Sequence, residues 1–222
     1  MDCDILINAS TNSKKYISSQ FPDLDFQETV ENVKNSLKNF TYKKYVLISS
    51  ADVYSDSPSP NSSNENREID TAKIGKYGFH KYLAEKCVMK NANDWIVFRM
   101  GGFVGKGIKK NAIYDILFGK KLWIAPNSKL QFINTDIAAQ IVFNILDLKI
   151  SNQIFNLCGI GCVELQEIID YIGRSVQVDN NAKYIAHEIS LDKISRYARL
   201  PKSKKMVFDY IDEIIKVSKN DI

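Results

Sequence analysis

An α/β fold on a mostly parallel sheet is predicted by three observations. Short apolar runs end in small polar residues, amphipathic segments at helical spacing lie between them, and the connections are too long for hairpins. With 222 residues, 45% of them hydrophobic and 25% charged, the chain has the balance of a globular protein and enough apolar surface to bury a core. Asp4–Asn8 is the first strand; Phe26–Phe40, with Val30, Val33, Leu37 and Phe40 on one side, is a helix; Tyr45–Ile48, ending in Ser49 and Ser50, is the second strand. These three make a βαβ unit.

The polar stretch Ser55–Asp70, rich in Ser, Asn and Pro, is a loop long enough to be functional. A helix over Ile74–Met89 follows, then a strand over Trp95–Phe98 that ends at Arg99 and runs into a glycine-rich turn, Gly101–Gly105. Helices are expected over Ile113–Phe118, Asp136–Leu146 (capped by Thr135 or Asp136), Val163–Ile172 and Met206–Val217. Strands are expected over Leu122–Ala125, Leu130–Ile133 and Ile154–Leu157, whereas Asp179–His187 reads equally as strand or loop.

Several function classes are excluded at this level. No run of about 18 apolar residues is present to cross a bilayer, so no membrane association is expected. The start, Met1 to Asp4 followed by Ile5, Leu6 and Ile7, lacks the basic and extended apolar segments of a secretory signal, and a cytoplasmic protein is expected. A net charge of +4 scattered along the chain gives no reason to expect nucleic-acid binding, and the basic cluster Lys202–Lys205 reads as a solvated helix start. The four cysteines, at 3, 87, 158 and 162, lack metal-ligand spacing; they are expected to be reduced thiols, with Cys158 and Cys162 in a turn and no metal bound.

The chemistry concentrates in Tyr77-Gly78-Phe79-His80-Lys81, where a phenol and an ammonium four residues apart share a helix face. A nearby lysine charge stabilises the phenolate and lowers the tyrosine pKa, so the hydroxyl can exchange a proton with an alcohol or carbonyl. Ser50 ends a strand, where open parallel sheets place their ligand contacts. The run Val46-Leu47-Ile48-Ser49-Ser50-Ala51-Asp52-Val53-Tyr54, a loop, and then Tyr77, Gly78, Lys81, Ala84 and Glu85 resembles the extended short-chain dehydrogenases/reductases. More narrowly, it resembles the NAD(P)-dependent epimerase/dehydratase family, and the likeness continues through Arg99–Gly105, Phe132–Asp136 and Phe155–Leu157.

The resemblance implies a Rossmann-like parallel sheet flanked by helices with a small C-terminal substrate-binding portion. Residues 1–150 would form a partial Rossmann-like domain with interleaved substrate segments, and 151–222 mainly the substrate-binding portion. It implies Tyr77 as general acid or base, and Lys81 as the residue that lowers its pKa and holds the nicotinamide ribose. Ser50 would partner the reacting oxygen, and Asn32, in a segment where Asn35 and Ser36 replace the family's Gly and Thr, is either a proton-relay or a structural residue. Asn8, Ala9 and Ser10 would lie along the cofactor, NAD or NADP, while Gly101, Gly102 and Phe103, followed by the segments around Asn111–Ile116 and Gln131–Asn134, would line the substrate side. The partner implied is a nucleotide-linked sugar. Ala51-Asp52 in place of the dehydratases' Asp-Glu pair shifts the expected reaction from dehydration towards epimerisation or reduction.

One departure is specific: all 10 glycines lie at or beyond position 75, so no glycine-rich loop precedes Asn8 to cradle a pyrophosphate. On the resemblance, Asp4–Asn8 would correspond to the family's fourth strand, with the first three expected to be missing from this sequence. Truncation of an active enzyme, natural loss of cofactor binding, and a nucleotide half supplied by another chain all account for this. A nucleotide-sugar-binding or regulatory protein without turnover is the alternative function. The same departure leaves Ile5, Leu6 and Ile7 on an unpaired edge strand, open to cover by a partner or by a second copy in a homodimer.

Overall fold

The computed structural model describes residues 2–54 and 58–220. In chain order the first elements are β1 (Asp2–Asn8), α1 (Lys15–Gln20), α2 (Pro22–Phe26), α3 (Asn32–Asn39), β2 (Thr41–Ser50), α4 (Lys76–Asn91) and β3 (Trp95–Met100). There follow β4 (Gly102–Val104), α5 (Ala112–Leu117), β5 (Leu122–Ile124), β6 (Lys129–Leu130), β7 (Phe132–Asn134), α6 (Thr135–Asp147) and β8 (Gln153–Leu157). The last are β9 (Val163–Glu164), α7 (Leu165–Ile172), β10 (Val178–Lys183), β11 (Ala186–His187) and α8 (Ser203–Asn220).

Two compact units interleave along this order. The first comprises the described residues of Met1–Asp56 with Ser63–Met100 and Ile145–Asn156; the second takes the described residues of Ser57–Ser62, Gly101–Asn144 and Leu157–Ile222. The first unit holds a four-stranded sheet in the order β1-β2-β3-β8, with β1 parallel to β2 and β2 parallel to β3. This is the predicted α/β architecture. Leu6, Tyr45, Leu47 and Val97 on one face pack with Val33 of α3 and Ala84 and Val88 of α4, the α3 and α4 stripes supplying the apolar spacing read in the sequence.

Among the described residues β1 is an edge strand, with β2 as its neighbour. Its alternation splits the apolar run by face, since Leu6 packs against the core while Ile5 and Ile7 stay 40% and 37% exposed. Each carbonyl-end strand terminus then delivers a polar segment: Asn8 into the turn before α1, and Ser50 into a 3-10 turn over Ala51–Val53.

Several local expectations are corrected. The helix read over Phe26–Phe40 is α2, a wide π turn over Gln27–Glu31 and α3 in succession, and α1 precedes it unforeseen because its short polar sequence shows little apolar periodicity. The glycine turn at 101–105 contains β4, which pairs in parallel with β7. Asn134 caps α6, its Oδ1 accepting from the amides of Asp136 and Ile137, where Thr135 or Asp136 was expected. Val163–Glu164 is a strand ahead of α7, and the ambiguous 179–187 region resolves into β10 and β11. The expected loop at 55–70 holds a 3-10 turn at Pro60–Ser62, and its residues 55–57 lie outside the described residues. No helix among the described residues is long and apolar enough to cross a membrane.

Helix α4 is fastened to the sheet by a buried charge pair. Arg99 on β3 donates to both carboxylate oxygens of Glu85, with Nη2–Oε2 at 2.7 Å, and Ser49 Oγ donates to Glu85 Oε1 at 2.6 Å. Both side chains are sealed from solvent. Removing one partner strands an uncompensated charge, so Glu85→Ala should lose about 3–5 kcal/mol in urea denaturation, whereas a Glu85→Leu/Arg99→Met double variant should lose less than the single one.

Candidate active site

Ser50 leaves β2 in extended conformation and caps the 3-10 turn, its Oγ accepting from the Asp52 amide at 3.2 Å and donating to Asp52 Oδ2 at 3.0 Å. The other Asp52 oxygen receives Lys15 Nζ at 2.6 Å. Helix α4 approaches this turn so closely that a methyl group on Gly78 would collide with the Asp52 carbonyl oxygen, which explains the glycine after Tyr77. Tyr77, in the first turn of α4, has Ser50 as hydrogen-bonding neighbour. One turn on, Lys81 sits with its ammonium 5.3 Å from the Tyr77 ring centroid and donates to Thr11 Oγ1. The structure therefore brings Ser50, Tyr77 and Lys81 together within the first unit.

The electrostatics differ from expectation. The Tyr77 phenol is held well above its ordinary value, first by burial and then by the charges of Asp52 and Asp25, with the Ser50 hydrogen bond opposing. A depressed value was expected from Lys81. Burial is the first cause and the Asp52 charge the second, while the Lys81 ammonium is turned to Thr11.

A second polar group surrounds Asn8. Its Nδ2 reaches Asn32 Oδ1, Ser36 Oγ and Tyr45 OH, each at 3.0 Å, while its Oδ1 accepts from the Ser10 amide at 3.1 Å and Ser10 Oγ at 3.0 Å. Ser10 Oγ also lies 3.2 Å from Asn32 Oδ1. Asn8, Ser10 and Asn32 are thus assembled, with Ala9 exposed between them. The π turn hands Asn32 to this cluster, since its amide bonds back to Gln27 and Thr29 carbonyls instead of continuing a regular helix. A concavity of about 320 Å³ opens here, lined by Ser10, Thr11, Asn12, Lys14, Glu28 and Asn32 among others.

Motif reading passed over a buried polar group that reaches the same turn. Asp25 is fully buried and holds His80 Nδ1 at 2.7 Å and Asn12 Nδ2 at 2.6 Å. The polar run from Ser10 to Ser13 directly after a strand, and a histidine beside Lys81, were the signals available; nothing local points to Asp25, which meets them only through folding. Among the described residues no group of three His, Cys, Asp or Glu side chains is placed to hold a metal ion.

Gly101, Gly102 and Phe103 lie in the second unit. There Gly101 donates to Leu157 O at 3.1 Å with no space for a side chain beside Cys158, and Gly102 is pressed against the Phe132 ring. Phe103 pairs with Ile133, and its carbonyl accepts from Asn111 Nδ2 at 2.7 Å. Packing accounts for both glycines.

No protein-family model matches the sequence, and no curated protein does. Solved structures do. A UDP-galactose 4-epimerase superposes with a TM-score of 0.77 at 16% identity, over 97% of this chain and 79% of that one. The UDP-glucuronic acid 4-epimerase of Bacillus cereus, solved with UDP-glucuronic acid and NAD, gives 0.75 at 15% identity over 95% and 76%. RMD from Pseudomonas aeruginosa, complexed with NADPH, gives 0.75 at 14% identity over 94% and 81%. At such identities the likeness establishes the Rossmann-like fold.

The raised Tyr77 pKa has a stability sign. Above pH 10.0 the unfolded phenol loses its proton while the folded one keeps it, so stability is complete below that pH and falls as pH rises beyond it. Denaturant titrations at pH 9 to 11 should show a shallower alkaline loss for Tyr77→Phe. A difference absorbance titration against Tyr77→Phe should show Asp52→Asn lowering the phenol pKa.

Proposed function

We propose that this chain carries the acid–base centre of an NAD(P)-dependent enzyme that epimerises or reduces a nucleotide-linked sugar. The observation that carries this reading is the meeting of Ser50, Tyr77 and Lys81 at the carboxyl end of β2, beside the Asn8–Ser10–Asn32 cluster. The likeness in fold to nucleotide-sugar epimerases solved with UDP-glucuronic acid and NAD supports it. Ser50 would hydrogen-bond the reacting sugar oxygen and Tyr77 would move its proton. Lys81, with its ammonium 5.3 Å from the centroid of the same ring, would stabilise the phenolate as it forms.

A bound nicotinamide supplies the hydride donor or acceptor for the sugar carbon. The residues fit one end of that cofactor: Lys81 and Thr11 present an ammonium and a hydroxyl, and the neighbouring concavity is lined by hydroxyl and amide side chains suited to a ribose. They do not fit the other end, because no glycine stands before position 75 to let backbone amides approach a pyrophosphate. The second reading is a nucleotide-sugar-binding or regulatory protein of the same fold without turnover.

Turnover and binding separate the two. Each missing charge-assisted hydrogen bond to the pyrophosphate is worth roughly 1.5–3 kcal/mol, so two of them should weaken NAD(P) binding by the 222-residue chain at least about a hundredfold. Titration by Trp fluorescence should find weak cofactor affinity and little NAD(P)-dependent turnover. Addition of a glycine-loop segment should restore turnover, and Tyr77→Phe should then reduce it by at least about a hundredfold. Tight sugar-nucleotide binding with no turnover under any of these conditions would establish the second reading; restored turnover indifferent to Tyr77→Phe would remove the acid–base role.

A further inference from the structure

Asp25 is a fully buried carboxylate beside the candidate site, and the acid–base assignment gives it nothing beyond the effect of its charge on Tyr77. Its Oδ1 accepts from Asn12 Nδ2 at 2.6 Å and Thr29 Oγ1 at 3.3 Å, and its Oδ2 faces His80 Nδ1 at 2.7 Å. None of the four is more than 9% exposed. We propose that Asp25 and His80 are positioning residues: a buried pair that fixes the Ser10–Lys14 turn, the start of α3 and the rotation of α4 relative to one another. This rests on the function proposed above only for the ligand concerned.

Each contact leads to a segment that carries a site residue. Asn12 follows Thr11, which receives Lys81, and its own Oδ1 accepts from the Lys14 amide at 2.8 Å while its Nδ2 also reaches the Lys14 carbonyl at 3.2 Å. Its backbone amide meets Glu28 O at 3.3 Å, so one asparagine sets the rim of the concavity. Thr29 lies in the π turn that delivers Asn32. His80 immediately precedes Lys81, and consecutive helical residues project about 100° apart, so holding His80 on Asp25 aims Lys81 at Thr11.

The chemistry is directional. A carboxylate only accepts, so the imidazole turns its Nδ1–H towards Asp25, and edge-to-face packing on Phe26, with centroids 5.6 Å apart, holds the ring there. An apolar cluster of the same volume would fill the space without choosing an orientation, whereas three donors from three elements meet one carboxylate in a single arrangement. The role falls on ligand affinity at the turn, beside the smaller effect of the Asp25 charge on the Tyr77 phenol.

The test compares His80→Phe, which keeps volume and ring packing but removes Nδ1–H, with His80→Asn, which returns an amide donor near the same place. Hydrogen exchange resolved by segment should rise about tenfold at residues 10–14 in His80→Phe, with β2 and β3 unchanged, and return to within about threefold in His80→Asn. Nicotinamide mononucleotide, which needs no pyrophosphate cradle, should bind His80→Phe about tenfold more weakly than the unmodified chain, again with recovery in His80→Asn. If His80→Phe does not fold, His80→Leu serves, since it also removes Nδ1–H with less bulk, and the same local signature is expected.

Unchanged exchange at 10–14, a uniform rise across the sheet, absence of rescue by His80→Asn, or equal nucleotide affinity in His80→Phe and the unmodified chain would each overturn the positioning role. Should the nucleotide bind none of the proteins while the exchange pattern appears, the cofactor reading fails and the positioning role stands.

Discussion

The Glu85–Arg99 pair joins the helix that carries Tyr77 and Lys81 to the two strands beneath it, and the rest of the first unit is arranged around satisfying it. Glu85 accepts from Arg99 and from Ser49, the residue before Ser50, while Arg99 Nη1 donates to Tyr54 OH at 3.0 Å and Tyr54 in turn donates to Asn156 Oδ1 at 2.9 Å. Asn156 closes the circuit onto the following loop through Ser63 O and Glu65. Charges this deeply buried tolerate few alternatives to their partners. The network therefore sets α4, the ends of β2 and β3, and β8 in one register, which places Ser50 and Tyr77 side by side.

Above that layer the backbone itself limits the geometry. Gly78 lets α4 descend onto the Asp52 carbonyl, so the phenol is carried into a partly enclosed position where burial and carboxylate charge act on it together. Lys81 spends its ammonium on Thr11, and Lys15 spends its own on Asp52. A site with each charge already answered by a neighbour is held in a defined arrangement, and any ligand entering it must exchange those contacts for better ones.

The agreement in fold with solved structures at 14–16% identity reflects how little of a parallel sheet depends on particular residues. Burial on both faces asks for apolar strands of sufficient length and amphipathic crossovers, and many sequences supply them. The polar groups of the candidate site lie at strand ends and on α4: Asp52 after Ser50, His80 before Lys81, and a turn rich in hydroxyl and amide side chains after Asn8.

Local sequence was sufficient for the strands at the first unit's centre, for α4 and for the trio Ser50, Tyr77 and Lys81, because apolar runs and helical spacing are properties of neighbours along the chain. It was insufficient where partners are distant. The wide turn at Gln27–Glu31, the strand inside the glycine-rich segment and the capping of α6 by Asn134 follow from close packing or from hydrogen bonds whose alternatives look alike in sequence. The direction of the Tyr77 pKa was decided by how deeply α4 settles and by which carboxylates face it. The meeting of Asp25 with His80 spans 55 positions. Such contacts are fixed by the requirement that every buried donor and acceptor find a partner, a condition on the folded whole that no single stretch of residues contains.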